Sequence, residues 1–203
     1  ESAAADVRVV GLALDDRACA TFRAVTPWGE ATVRLGVSGR HMAVNAAAAL
    51  ACVGAVGGDV AAGARAMTEV QLSAMRMEVL HTASGATVLN DAYNANPTSM
   101  RAAIDALAAM PAKRRVAVLG LMAEIADAEA EHRRMVAYAR ERGVDVVAFG
   151  TEWYGTPAVL TVADAVAALG SIAGGDAVLV KGSRVVGLER LAAALCRTGV
   201  EPA

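Results

Sequence analysis

The sequence predicts an α/β protein. Residues 85–203 read as a Rossmann-like, mostly parallel sheet with helices on both faces, and residues 1–84 as a small antiparallel β unit with helices. Three observations carry this. From residue 85 onward, strand-like runs and helical stretches alternate as β-α-β-α-β-(β)-α-β-α, the pattern of a parallel sheet with crossover helices. Two of the runs, Arg115-Val116-Ala117-Val118-Leu119-Gly120 and Asp176-Ala177-Val178-Leu179-Val180, are apolar almost throughout, as buried strands are. Before residue 85 the β-rich segments are joined only by short turns, which gives a meander instead.

Taken in order, Val7 to Leu14 and Cys19 to Thr26 are strands with Asp15-Asp16 as the turn between them. Pro27-Trp28-Gly29 makes a second turn before Glu30 to Val37, which alternates polar and apolar residues. A meander of this size needs something to pack on. A helix follows from Met42 to about Val56, and another from Asp59 to Val70 with Asp59 as its N-cap. Gly85 to Leu89 is a short strand of small and β-branched residues. Ser99 to Met110 is helical, with Ile104, Leu107 and Ala108 on one face. After the strand at 115–120, Glu129 to Gly143 is helical with Gly143 as a natural terminator. Val144 to Gly150 and the weaker Ala158 to Thr161 are strands, Val162 to Ala173 a helix, and Gly187 to Arg197 the last helix.

Composition narrows the function. Of 203 residues, 56% are hydrophobic but only 3% aromatic, so the core is built of Ala, Val and Leu and offers no aromatic stacking surface. The formal net charge of −2 argues against nucleic acid as the main partner, because phosphate backbones demand clustered Lys and Arg. Cys19, Cys52 and Cys196 fit neither a zinc spacing nor a disulfide framework. The longest apolar run, Ala46 to Gly58, is shorter than the ~18 residues of a spanning helix. The N-terminus lacks both an initiating Met and the basic region of a signal peptide, so the chain is expected to begin inside a longer protein.

The chemistry concentrates between the strand at 85–89 and the helix after it. Asp91, Tyr93, Asn94 and Asn96 fall within six residues, closed by Pro97 at the helix entrance, where a missing backbone N–H costs little. Loops at the carboxyl ends of strands are where open α/β sheets place ligands. The competing reading is an Asx-rich turn whose side chains bond their own backbone. Lys181-Gly182-Ser183-Arg184, after another buried strand, offers two cations, a hydroxyl and a glycine permitting close backbone approach, which suits a carboxylate or phosphate. His41 and Asn45 stand at i, i+4 on a helix face, either as a ligand pair or as a polar helix start.

Asp91-Ala92-Tyr93-Asn94-Ala95-Asn96-Pro97-Thr98-Ser99-Met100 closely resembles the D-x-Y-N-A-N-P-x-S-M signature found among the Mur ligases, in the branch that joins D-alanyl-D-alanine to UDP-N-acetylmuramoyl-tripeptide. Four further stretches are similar to that family. Gly39-Arg40-His41 through Asn45 to Ala49 resembles its nucleotide-site helix, with Met42 where an asparagine is usual. Arg76-Met77-Glu78 resembles its G-R-M/L-E segment, with Met75 where a glycine is usual. Leu121-Met122-Ala123-Glu124 resembles its G-D-M-x-E-L loop, with Leu121 where aspartate is common, and Lys181 to Arg184 resembles its K-G-S-R motif. His132 matches a histidine common in the family, and a structural role is at least as good a reading for it.

The resemblance implies an ATP-dependent ligase of peptidoglycan biosynthesis, acting in the bacterial cytoplasm through an acyl phosphate. His41, Asn45, Arg76, Asp91 and Tyr93 would serve the nucleotide. Asn94, Asn96, Ser99, Glu124, Lys181, Ser183 and Arg184 would face the substrates, UDP-MurNAc-tripeptide and D-alanyl-D-alanine, with Lys181, Asn94 and Asn96 closest to the chemistry. Residues 1–84 would be the closing part of the central ATP-binding domain and residues 85–203 the C-terminal domain. No G-x-x-x-x-G-K-[ST] loop occurs in the sequence. The phosphate loop and the ligands for Mg2+ are therefore expected in a part of the protein outside this chain, and the chain alone is expected to be inactive. The readings left open are another Mur-type amide ligase, similar to folyl-polyglutamate or cyanophycin synthetases, and a non-catalytic Rossmann-like binding module.

Overall fold

The computed structural model describes residues 4–70 and 74–197, and the chain divides into two compact units, Glu1–Leu72 and Ser73–Ala203. In the first unit, β1 (Arg8–Leu14), β2 (Cys19–Thr26) and β3 (Gly29–Ser38) form an antiparallel sheet in chain order. Alternation along β2 turns Ala20, Phe22 and Ala24 inward and Thr21 and Arg23 outward, as a half-buried strand requires. The inward face packs on α1 (Met42–Ala55) and α2 (Val60–Ala66), with Phe22, Val33, Leu35, Leu50 and Val60 in the core. The helices on this sheet are the packing partner the meander needed. Asp59 caps α2 as expected, its Oδ1 accepting the N–H groups of Ala61 and Ala62 at 2.8 and 3.0 Å. Helix α2 ends at Ala66, not Val70. The chain beyond it bonds β3 instead: Gly36 N–H donates to Met67 O, and Thr68 Oγ1 to Arg34 O.

The second unit is a six-stranded sheet in the order β4-β5-β9-β6-β7-β8. Its strands are β4 (Glu78–His81), β5 (Thr87–Asp91), β6 (Arg114–Leu119), β7 (Asp145–Phe149), β8 (Ala158–Val159) and β9 (Asp176–Lys181). All neighbours are parallel except β4 with β5. Between the strands run α3 (Pro97–Ala109), α4 (Ala128–Arg140), α5 (Val162–Leu169) and, at the end, α6 (Glu189–Arg197). The expected order of strands and helices after residue 85 is the observed one. Helix α5 is shorter than its expected span because Gly170, at φ +64°, turns the chain out of the helix and donates back to Val166 O and Ala167 O.

Successive strand residues serve opposite faces. Val88, Val116, Val118, Val178 and Val180 pack with Ala165 and Leu169 of α5 and with Leu191, Ala192 and Leu195 of α6. Leu89, Ala117, Leu119 and Leu179, of opposite parity, are buried as well, as are Met100, Ile104 and Leu107 of α3 and Met135 and Val136 of α4. Burial on both faces is why these strands read as apolar runs.

One boundary differs from the reading of the sequence, which divided the chain at 84/85. Strand β4 pairs with β5 through Val79↔Leu89, and residues 82–86 close that hairpin: Thr82 N–H donates to Ala86 O, and Ala86 N–H to Thr82 Oγ1. The segment carrying Arg76 and Glu78 therefore belongs to the second sheet. Among the described residues no helix is long and apolar enough to cross a membrane.

Candidate functional site

Strand β5 delivers Asp91 to the carboxyl edge of the parallel sheet, and β9 delivers Lys181 beside it in register. Lys181 is 1% exposed. Its Nζ donates to Asp91 Oδ2 at 2.5 Å and to Asn94 O at 2.9 Å. The other carboxylate oxygen of Asp91 accepts Met77 N–H at 3.0 Å. A buried ammonium is tolerable only when paired and hydrogen-bonded. Here it gains both partners by drawing the 92–96 loop over the sheet edge. Lys181 is thus turned inward, toward the carboxylate and the loop's own backbone.

The asparagines divide their work. Asn94 is exposed, and its Oδ1 accepts its neighbour's N–H, Ala95, at 2.8 Å. Asn96 is the N-cap of α3: Ser99 N–H donates to Asn96 Oδ1 at 2.9 Å, and Asn96 N–H donates to Ser99 Oγ at 3.1 Å, a reciprocal capping box with Pro97 at the first helical turn. The Asx-turn reading of this loop therefore describes much of what the side-chain oxygens do, while both amide groups remain at the exposed surface.

Ser183 lies almost buried after β9. Its Oγ accepts Ala123 N–H at 3.0 Å, and the hydroxyl points at Ala95 O at 3.5 Å. Its own N–H donates to Leu121 O at 2.8 Å, joining the loop after β9 to the loop after β6. Gly182 permits a close backbone approach, as expected, but to Gly120: a Cβ built on Gly182 would lie 3.2 Å from Gly120 Cα and 2.9 Å from Leu188 Cδ1. Glu124, next after Ala123, is exposed, and its carboxylate has no hydrogen bond or ion pair among the described residues.

Arg76 is held by a strained loop. Met75 and Met77 adopt φ +64° and +52°, a region that costs a side-chain-bearing residue roughly 1–2 kcal/mol. That conformation explains why glycine is usual at position 75 in the similar segment. The loop is fastened at three points: Met75 N–H to Glu78 Oε2, Tyr93 N–H to Met75 O, and Met77 N–H to Asp91. Arg76 then stacks its guanidinium 3.9 Å from the Tyr93 ring centroid, and Arg184 approaches the same ring at 5.6 Å. Two exposed cations around one aromatic face make a surface for an anion.

His41 and Asn45 belong to the first unit. His41 is the N-cap residue of α1 without a side-chain capping bond, and its ring lies over Gly39, where a Cβ would come within 2.6 Å of it. Asn45 is exposed, donates toward Met42 Sδ at 3.3 Å, and borders a cavity of about 220 Å3 lined mainly by Leu35, Val37, Ala46, Ala49 and Met67.

Residues 75–184 match the Mur ligase glutamate ligase domain, which covers more than half of the chain. The chain belongs to the Mur ligase family. A UDP-N-acetylmuramoyl-tripeptide–D-alanyl-D-alanine ligase of Mycobacterium tuberculosis is 36% identical across 94% of this chain. The chain spans 44% of that relative's length. The crystal structure of MurF from Acinetobacter baumannii superposes with a TM-score of 0.83 at 29% identity, over 96% of this chain and 46% of that one. MurF from Thermotoga maritima, solved in complex with ADP, shares the fold at a TM-score of 0.75 and 20% identity, over 94% of this chain and 46% of its own. The resemblance carried by residues 91–100 is therefore borne out along most of this Mur ligase chain.

Two residues that build the site were not singled out as site residues from the sequence. Glu78 stood in the sequence only as the last residue of the segment similar to G-R-M/L-E, yet its Oε2 accepts Met75 N–H at 3.1 Å and an Asn90 Nδ2–H at 2.9 Å. The signal was Asn90, a polar residue in an apolar strand that must find a partner when buried. His132 read as a lone helix histidine, yet it is fully buried and fastens the Glu124 loop.

Proposed function

We propose that this chain supplies part of the active site of a MurF-type ligase, which joins D-alanyl-D-alanine to UDP-N-acetylmuramoyl-tripeptide in cytoplasmic peptidoglycan synthesis. The observation that carries the reading is the 91–99 loop. Its signature residues sit at the carboxyl edge of the sheet, held by Lys181 and Ser183 of the second motif, with Asn94 and Asn96 exposed. Residues 1–72 are then the closing part of the central domain and residues 73–203 the C-terminal domain.

In this reaction ATP supplies a phosphoryl group that activates the tripeptide carboxylate as an acyl phosphate. The dipeptide amine attacks that carbonyl, inorganic phosphate leaves, and the amine gives up a proton. The exposed guanidinium of Arg76, oriented by Tyr93, fits the phosphates of a nucleotide. His41 and Asn45 are further candidates for the nucleotide. Asn94 and Asn96 present carboxamides, Ser99 a hydroxyl and Arg184 a cation to the zwitterionic dipeptide. Asp91, Lys181 and Ser183 hold the loop in place for that contact. Glu124, acidic and exposed, suits the dipeptide's ammonium. Among the described residues no three His, Cys, Asp or Glu side chains gather to hold a metal ion.

A chimera tests the reading. This chain replaces the matching part of the M. tuberculosis ligase, and phosphate release is measured with UDP-MurNAc-tripeptide, ATP and either D-alanyl-D-alanine or L-glutamate. The expected result is release dependent on D-alanyl-D-alanine, with none from the 203-residue chain alone. A folded chimera that responds to L-glutamate would point to a folyl-polyglutamate-type ligase, and one that responds to neither would point to a binding module.

A further inference from the structure

We propose that His132 is a positioning residue for the site, acting through the loop between β6 and α4. The geometry fixes its chemical state. Met122 N–H can only donate, and it reaches His132 Nε2 at 2.9 Å. Ala128 O can only accept, and it lies 2.5 Å from Nδ1. The ring is therefore neutral, with its proton on Nδ1 and its lone pair on Nε2. Burial, which pushes the imidazole's pKa below its ordinary value, holds it in that form at neutral pH. The rings of Trp153 and Tyr154 pack edge-on against it at 5.4 and 4.8 Å, so the imidazole cannot swing.

What the ring holds is an irregular loop, whose first residues are also tied by Ser183 N–H to Leu121 O and by the fully buried Met122 side chain. Residues 121–127 contain no helix or strand. Tyr154 fixes the loop's start, its buried hydroxyl donating to Gly120 O at 2.7 Å. His132 fixes Met122. The next N–H, of Ala123, then meets Ser183 Oγ at 3.0 Å. With that lone pair occupied, the Ser183 hydroxyl proton turns toward Ala95 O, between the two asparagines. A continuous line of contacts thus runs from α4 through Met122, Ala123 and Ser183 to the loop that carries Asn94 and Asn96. Glu124, one residue past Ala123, takes its place from the same anchor. The consequence for catalysis rests on the ligase reading, whereas the anchoring itself does not.

Two substitutions separate the two ring nitrogens. In His132→Gln the side-chain carbonyl can occupy the place of Nε2 and accept Met122 N–H. In His132→Asn the shorter amide can only replace Nδ1 and donate to Ala128 O. Amide hydrogen exchange is measured by NMR on the 203-residue chain for both variants, with Val118 and Leu179 in the sheet as controls. In the wild type, the imidazole nitrogen shifts should report the Nδ1–H tautomer. In His132→Asn, Met122 and Ala123 should exchange about tenfold faster, the size expected for one lost hydrogen bond, and the Asn94 and Asn96 side-chain amide signals should shift. In His132→Gln, Met122 protection should return toward the wild-type value. In both, the control amides should stay protected. Unchanged exchange at Met122 in His132→Asn, or equal loss in both variants together with the control amides, would overturn the proposal, the latter making His132 a packing residue. These readouts need no ligase activity, so an inactive chimera would count against the function and leave this test intact.

Discussion

Removing the charge of Asp91 should unfold the second unit more readily than any other single conservative change at the site. In Asp91→Asn, shape is kept but the Lys181 ammonium, 1% exposed, loses the one anionic partner it has among the described residues and retains Asn94 O. Breaking a buried pair by removing one partner costs about 3–5 kcal/mol, because the remaining charge stays buried without compensation. For a unit of about 130 residues this corresponds to a fall in Tm of roughly 10–20 °C. Lys181→Met should cost less, since Asp91 keeps the Met77 N–H and its side chain is 14% exposed to water. The double variant has no stranded ammonium and should be more stable than Asp91→Asn alone. Urea unfolding of all four proteins, followed by circular dichroism, gives the coupling. A loss below about 1 kcal/mol in Asp91→Asn, or additivity within ~0.5 kcal/mol in the cycle, would refute the argument that this pair holds the loop.

Asn96→Ala should lower stability by about 1 kcal/mol through loss of the α3 cap, while Asn96→Ser should keep most of it. A fall in kcat/KM of the chimera shared by both variants would assign the remaining amide to the dipeptide, and normal kinetics in both would confine Asn96 to capping. The second unit should fold by itself when cut at residue 73. A chain beginning at residue 85 should be less stable, because it lacks β4 and the Met77 N–H that Asp91 accepts. Equal melting points for the two truncations would show that β4 contributes nothing to the sheet.

The order of elements was legible in the residues because local signals agreed with one another. Apolar runs such as Val116 to Leu119 read as strands from their own residues, and Gly143, at φ +66°, stops the helical stretch that contains α4 through its own backbone freedom, whereas the stop at Gly170 was read through. The motif loop was legible for a similar reason. Asp91 to Met100 is contiguous, so its spacing survives in the sequence whatever it packs against. The boundary at 84/85 went astray because β4 is only four residues long and carries almost no periodicity of its own. Its place comes from hydrogen bonds to β5, which are set by the neighbour and not by the segment.

The sequence by itself therefore determined which stretches resemble those of the Mur ligases: two asparagines in one loop, a basic turn and an arginine segment, each readable as a local pattern. Only the tertiary structure decided what those side chains do for the protein itself. Lys181 and Asp91 are 90 positions apart and pair only because β5 and β9 are neighbours in the sheet. Ser183 meets Ala123 only where two strands end together, and His132 meets Met122 only where α4 folds back over its own loop. Burial turns these meetings into constraints. An ammonium or an imidazole in water would exchange partners freely, whereas inside the sheet edge each must keep the one geometry that satisfies it.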